Sequence, residues 1–267
     1  MPPLVTLTTD FGLRDPFVGI MKGVILSICP TARLVDLTHE VEPQDILGGC
    51  LALEAAVPFF PAGTVHLVVV DPGVGSPRRA IALRAGGGYW VGPDNGVLTP
   101  ALEGSGWTAV ALTAPEYRLP VVSRTFHGRD IFAPAAAYLA AGVPLERLGS
   151  AVADPVRLPL PGCRLEGGAL VGEVLAADRF GNLITSIPAA ALETMPGPVS
   201  VEVAGVAVGG PMDCYEQGRD GEPAAIAGST GRIEIFVKGG SARAKLGLQR
   251  GAPVRLRSAA VPKTSLP

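Results

Sequence analysis

Short apolar runs rich in β-branched residues alternate with longer amphipathic stretches through the first half of the chain. That pattern predicts a mostly parallel sheet flanked by helices. Leu4 to Thr8 reads as the first strand, Leu34 to Thr38 as the second, and Val65 to Val70 as a buried central one. Asp15-Pro16 predicts a helix cap, with proline at the first helical position, before Phe17 to Leu26. Pro43 to Ala56 predicts a second helix, in which Ile46, Leu47, Leu51, Leu53 and the following Val57 approximate one broad stripe. Ala80–Leu83, Tyr89–Val91 and Ala109–Leu112 predict further strands, Gly92–Gly96 a turn with a short helix after it, and Asp130 to Ala141 a helix directly behind His127.

Proline and glycine accumulate from Ala153 to Gly168 and the helical pattern stops, so 155–168 reads as an interdomain linker. Beyond it the strands are short and separated by turns, at Ala169–Leu175, Leu183–Ser186, Val199–Val203, Val206–Val208, Ala224–Ala227, Ile233–Val237 and Val254–Leu256. Such spacing predicts a small β-barrel or sandwich. The expected architecture is an α/β N-terminal domain over 1–154, with a central mostly parallel sheet flanked by helices, and a smaller C-terminal β-barrel domain over 169–267. The tail from Ser258 to Pro267 is expected to fray.

Composition narrows the function classes. The 267 residues suffice for two modest domains, and 48% hydrophobic against 17% charged residues fits strands and helices buried on several sides. A formal net charge of −2 offers nucleic acid no electrostatic footprint. No apolar run approaches the ~20 residues of a membrane span, and the amino terminus lacks a signal-peptide pattern, so a cytoplasmic setting is expected. Cys29, Cys50, Cys163 and Cys214 are widely spread, which argues against a zinc knuckle or redox dithiol.

The candidate chemistry lies on loops at strand ends, where α/β sheets collect ligands. Asp71-Pro72-Gly73-Val74-Gly75-Ser76-Pro77-Arg78 follows the central strand as a short loop stiffened by prolines and relaxed at its glycines. It presents an acid and a guanidinium. Taken alone it reads as a capped turn with a surface charge, and Gly73-x-Gly75 lacks the third glycine and helix start of a dinucleotide fingerprint. Thr125-Phe126-His127-Gly128-Arg129-Asp130 adds an imidazole, and the three groups together are able to activate a water. Thr9-Asp10-Phe11-Gly12 and Asp178-Arg179-Phe180-Gly181-Asn182 complete four site-like segments.

In order and wording these segments resemble the S-adenosyl-L-methionine (SAM) hydrolases that release adenosine, the SAM hydroxide adenosyltransferases, relatives of fluorinase and chlorinase. The resemblance extends over nearly the whole chain, including Cys29-Pro30, Asp36-Leu37-Thr38-His39, Phe59 to Val65 and Pro93 to Leu98. It implies hydroxide attack on the ribose 5′-carbon, with catalytic Asp71, Arg78 and His127 holding the water. Either Asp71 or His127 would take its proton, and Arg78 is chosen over Arg79 on spacing. It also implies substrate contacts from Asp10 and Phe11 at the ribose, from Phe126 and Phe180 on the nucleoside, from Asp178 at the methionine ammonium, and from Asn182 near the adenine. Tyr215, Ser229, Glu234, Val237 and Gly239 would complete the substrate pocket. No cofactor and no metal are implied, and the pocket would lie between subunits of a homotrimer.

Fluorinase has a tyrosine where this chain has Asp71, a Tyr-Ser pair where it has His127-Gly128, and an insertion after the strand matching Ala80–Leu83. These departures favour water over halide. Two alternatives stand beside this reading. One is a metal-dependent hydrolase of a nucleotide-like substrate using Asp10, Asp71, Asp94, His127 and Asp130, and the other a protein that binds SAM without turnover. His39 and His66, in or beside strands, are expected to pack rather than ligate, Asp130 to start a helix, and Asp94-Asn95-Gly96 to form a turn.

Overall fold

The structure, a computed structural model, describes residues 2–258. It separates into two compact units, one up to Pro159 and one from Leu160. Of the tail expected to fray, Ser258 belongs to the last strand and the remainder lies outside the described residues.

The first unit is an α/β sandwich. In chain order its elements are β1 (Leu4–Thr9), α1 (Phe17–Ile28), β2 (Arg33–Thr38), α2 (Ile46–Ala56), β3 (Val65–Val69), β4 (Ala80–Ala85), β5 (Gly88–Pro93), α3 (Thr99–Leu102), β6 (Thr108–Ala111) and α4 (Ala133–Ala140). The strands order as β2-β1-β3-β5-β4-β6, with β2, β1, β3 and β5 parallel and β4 antiparallel to both neighbours. β4 and β5 form a tight hairpin. Its two turn residues, Gly86 and Gly87, have φ of +58° and +80°, the left-handed pair that a two-residue turn of this kind requires.

Alternation along β3 builds both layers. Val65, Leu67 and Val69 face α1 and α4 and pack with Met21, Ile25, Phe132 and Ala136. Val68, with Val70 just past the strand, faces the other way, toward Leu53, Val97 and Leu98. A strand buried on both sides places the loop after it at the rim of the sheet.

The helix starts differ from the sequence expectation. Asp15 does not cap α1; the carbonyl of Pro16 accepts the first helical bond, from Ile20 N at 2.9 Å, so Pro16 occupies the cap position and Phe17 opens the helix. α2 begins at Ile46 rather than Pro43, because Gln44 sits in the left-handed region (φ +68°) and its N–H turns away to Asp10 Oδ2 at 2.8 Å. The helix behind His127 opens with a π-helical turn over Gly128–Phe132 before α4.

The second unit contains β7 (Arg164–Glu166), β8 (Ala169–Ala177), β9 (Leu183–Pro188), β10 (Val199–Val203), β11 (Val206–Met212), β12 (Pro223–Ala227), β13 (Arg232–Val237), the short α5 (Ala242–Leu246) and β14 (Pro253–Ser258). Pairing runs β14-β10-β11-β12-β13-β9-β8, and β14 returns to β8, closing a seven-stranded barrel with β7 added outside it. Closure leaves these strands no free edge. Val174, Leu183, Val201, Ile235 and Leu256 fill the interior. Within the proline- and glycine-rich 155–168 stretch, the N–H groups of Val156 and Leu158 bond Asp94 and Thr99, and residues 164–166 form β7.

His66 is buried in β3, its Nδ1 2.9 Å from Thr6 Oγ1, and burial pushes its pKa down to about 4. The folded state therefore holds a neutral imidazole, while the unfolded chain binds a proton near the ordinary value of ~6.5. Stability is expected to fall as pH drops from about 6.5 toward about 4, by roughly 3 kcal/mol from this residue. Urea unfolding across that range tests it. His66→Gln should flatten the slope, and a wild-type profile already flat would contradict the assignment.

Candidate active site

The loop after β3 folds back on itself through two turns, Val74 N to Asp71 O at 3.2 Å and Ser76 N to Gly73 O at 3.1 Å. Gly75 is required at its tip. Its φ is +78°, and a Cβ there would stand 2.4 Å from the carbonyl oxygen of Arg124, so the loop lies directly against the segment that carries His127. The return brings Arg78 onto Asp71. Arg78 Nε donates to Asp71 Oδ1 at 2.8 Å, and Nη2 donates to Oδ2, a two-pronged pair between side chains that are almost fully buried.

The same Nη2 lies 2.8 Å from Nδ1 of His127. A guanidinium only donates, so Nδ1 accepts and the proton of the neutral ring resides on Nε2. Burial first, and then the charge of Arg78, hold the His127 pKa below its ordinary value, which favours that neutral form. Nη1 of Arg78 reaches the carbonyl of Arg79 at 3.3 Å, and the guanidinium lies over the Phe132 ring at 5.2 Å. The geometry thus joins Asp71, Arg78 and His127 in one cluster.

Arg79 points elsewhere. Its Nε donates to Asp94 at 2.6 Å and its terminal nitrogens to Asp154, side chain and carbonyl, each at 2.7 Å. Asp94 also accepts from Val156 N, and Asn95 bonds the Val70 carbonyl at 2.9 Å, so both residues hold the chain behind the sheet. Asp130 is fully buried, engaged by Arg129 and by the N–H of Ser123 at 2.8 Å, which fixes the loop before His127. Three acids of the metal reading, Asp71, Asp94 and Asp130, are therefore committed to arginines. Among the described residues no group of three His, Cys, Asp or Glu side chains is arranged to hold a metal ion.

Asp10 directly follows β1, with Oδ2 held by Gln44 N. Phe11, beside it, meets Phe126 edge-on at 6.0 Å and Phe17 at 5.8 Å, with Phe17 to Phe126 at 5.3 Å, so the Asp10 loop and the His127 segment share an aromatic wall. His39 is buried below it. Its Nδ1 is 2.9 Å from Thr9 Oγ1 and its Nε2 3.0 Å from Asp36 Oδ1. Sequence reasoning assigned no role to Gln44 or to Arg118, a half-buried arginine near His127. A glutamine with φ above zero leaves no mark in a sequence, and an isolated arginine after Glu116-Tyr117 resembles any surface cation.

A second cluster forms in the barrel unit. Asp178 closes the β8–β9 turn by accepting from both the backbone N–H (2.8 Å) and the side-chain amide (2.9 Å) of Asn182, which leaves Phe180 at the tip, 77% exposed. Tyr215 donates to Glu234 at 3.1 Å, and Thr230 lies 3.4 Å from the same carboxyl. Burial pushes the Glu234 carboxyl up, and burial with the Glu234 charge pushes the Tyr215 hydroxyl up to about 12. Val237 ends β13, Gly239 follows in the left-handed region (φ +71°), and Ser229 lies in the β12–β13 turn.

Comparison with known proteins places the chain in a family. The SAM hydroxide adenosyltransferase N-terminal domain matches residues 5–149 and the corresponding C-terminal domain residues 172–255. The chain belongs to the SAM hydroxide adenosyltransferase family. A relative from Salinispora tropica, named (R)-S-adenosyl-L-methionine hydrolase, is 44% identical over 95% of this chain and 97% of its own. A protein named fluorinase, from an Actinoplanes species, is 33% identical over 72% of this chain and 74% of its own. A solved structure of an uncharacterized conserved protein from Thermotoga maritima superposes with a TM-score of 0.88 at 36% identity, covering 95% of this chain and 99% of that one.

In this member of the family the approach of Gly75 to Arg124 predicts a sensitive position. Gly75→Ala should lower stability by about 1–3 kcal/mol through φ strain alone, with further loss from the clash. Thermal melts measure it. An unchanged melting temperature would mean that the loop is not locked as described.

Proposed function

We propose that the protein hydrolyses SAM to adenosine and L-methionine, with the (R)-sulfonium epimer, named in its Salinispora relative, as a substrate. The observation that carries this reading is Arg78 bound at once to Asp71 and His127 at the rim of the sheet. In the reaction an oxygen nucleophile forms a bond to the ribose 5′-carbon as the C5′–S bond breaks. The bond's electron pair passes to sulfur, and methionine leaves as a neutral thioether. The leaving group is good, so the protein's main task is to desolvate and orient the nucleophile, which is worth roughly 7–11 kcal/mol.

Roles follow from the hydrogen bonds. Asp71 fixes Arg78, Arg78 fixes the His127 tautomer, and His127 offers Nε2–H as a donor. While Nδ1 accepts from Arg78, the ring has no free lone pair for a water proton. We therefore assign His127 and Arg78 to holding hydroxide, with the proton released to solvent. Oδ1 of Asp10, which has no hydrogen-bond partner among the described residues, is assigned to the ribose hydroxyls, with Phe11 and Phe126 as the apolar wall beside it. Asp178, Phe180, Asn182, Tyr215, Ser229, Glu234, Val237 and Gly239 are assigned to the nucleoside and amino-acid ends.

The two units are proposed as two domains, and the complete pocket as one shared between subunits of a homotrimer. A cytoplasmic setting fits four free cysteines, and no helix among the described residues is long and apolar enough to cross a membrane.

Four measurements test the reading. SAM incubated with the protein in ¹⁸O-water should yield adenosine labelled at the 5′-oxygen; unlabelled adenosine, or no adenosine, sinks it. His127→Ala should lower kcat by about 10²- to 10³-fold with a smaller change in KM. Because burial and Arg78 hold His127 neutral, the acid limb of kcat/KM should titrate below the ordinary ~6.5, activity being lost as pH falls through it. A limb at or above that value would contradict the assigned tautomer. Sedimentation should return three times the 27.3 kDa chain mass, and a monomer fully active at assay concentration would remove the shared pocket.

A further inference from the structure

A cavity of about 210 Å³ lies beside the cluster, where β4 begins and β6 ends, and three arginines line it: Arg78, Arg79 and Arg118, with His127 and Thr113. No carboxylate lines it. The first two arginines are compensated, Arg78 by Asp71 and Arg79 by Asp94 and Asp154. Arg118 is not. Among the described residues no acidic side chain pairs with it, and its Nε is buried without a hydrogen-bond partner. Burial of a guanidinium without a counter-charge is costly, and here it draws the Arg118 pKa down.

The residue is also held in place. Its backbone N–H bonds Pro115 O at 3.3 Å, the N–H of Leu119 bonds Asp130 O at 2.9 Å, and Tyr117 before it packs edge-on against Tyr138 at 5.0 Å. A guanidinium carried on an anchored backbone and lining a cavity presents a planar fork, the geometry that matches two oxygens of one anion.

We propose that this cavity binds a small oxyanion, a carboxylate or a phosphate, through the guanidinium of Arg118, with the Thr113 hydroxyl as a neighbouring donor. One uncompensated positive charge suits a monoanion, and the volume admits one with a few waters. The cavity shares Arg78 and His127 with the proposed nucleophile site, and Arg118 acts electrostatically on His127, so an occupant would be felt at the cluster.

Binding is tested without SAM, so the outcome does not depend on the hydrolase reading. At constant ionic strength, millimolar inorganic phosphate or acetate should raise the melting temperature of the wild-type protein by roughly 4 °C relative to chloride. Arg118→Gln should abolish the shift, and Arg118→Lys, which keeps the charge but loses the fork, should retain only part of it. The anion giving the larger Arg118-dependent shift identifies the source as free phosphate or a carboxylate metabolite. No shift with either anion, or an equal shift in Arg118→Gln, overturns the proposal. Should that variant fail to fold, wild-type crystals soaked in selenate decide the matter. Anomalous density beside Arg118 supports the site, and its absence there overturns it.

Discussion

The structure turns on one guanidinium. Arg78 spends its donors on Asp71, on His127 and on the carbonyl of its own neighbour, and rests its face on Phe132. Those partners come from the loop after β3, from the π-helical turn and from the segment before it, so a single side chain ties together pieces of chain far apart in sequence. Its planarity matters as much as its charge. A lysine would neutralise Asp71 but would not address two carboxylate oxygens and an imidazole in one plane. Nearly full burial raises the stakes, since removing either partner of such a pair leaves an uncompensated charge worth about 3–5 kcal/mol.

Adjacent arginines divide two tasks. Arg78 and Arg79 precede β4, where successive side chains point to opposite faces. One therefore turns toward the Asp71 loop, and the other reaches Asp94 and Asp154 and fastens the end of the first unit. Neighbours in sequence thus serve different ends, and an exchange of their roles would require β4 to slip by one residue, moving Ile81 and Leu83 into the layer that Ala82 faces.

Much of this was legible in the chain itself, where a residue's type dictates its backbone. β3 and its loop stand out because a β-branched run cut by Pro72, Gly73 and Gly75 has few other conformations available. The barrel was readable from the spacing of its short strands. What escaped was set by contacts distant in sequence. Asp15-Pro16 and Pro43 carry local helix-start signals, yet both starts lie further along, the second because a tertiary bond turns Gln44 N to Asp10. Proline and glycine density marked 155–168 as a linker, but it did not reveal that β7 lies inside it, because pairing with β8 supplies that strand's order. Arg118 was invisible for a different reason: what distinguishes it is a missing partner. The barrel-side residues, from Tyr215 to Gly239, were reached through family resemblance rather than through any local pattern.

The tautomer of His127 gives the cluster its chemical character. Arg78 is only a donor, so it leaves His127 with one acceptor already used and one N–H to give. A ring that offers an N–H and no free lone pair favours an anionic oxygen over a neutral water. A site of that kind lowers the cost of hydroxide directly, and it does not need to store the proton. Such economy suits a sulfonium substrate, whose leaving group departs neutral and asks for no general acid. It also accounts for the side chains on which this chain differs from fluorinase. The carboxylate at position 71 offers no hydroxyl to a halide, and both of its oxygens are occupied by Arg78. Gly128 brings no hydroxyl to solvate one, and a Cβ there would stand 3.2 Å from the side chains of Met21 and Phe126, which crowd the space. On the proposed roles, a preference for hydroxide follows from how Arg78 is shared.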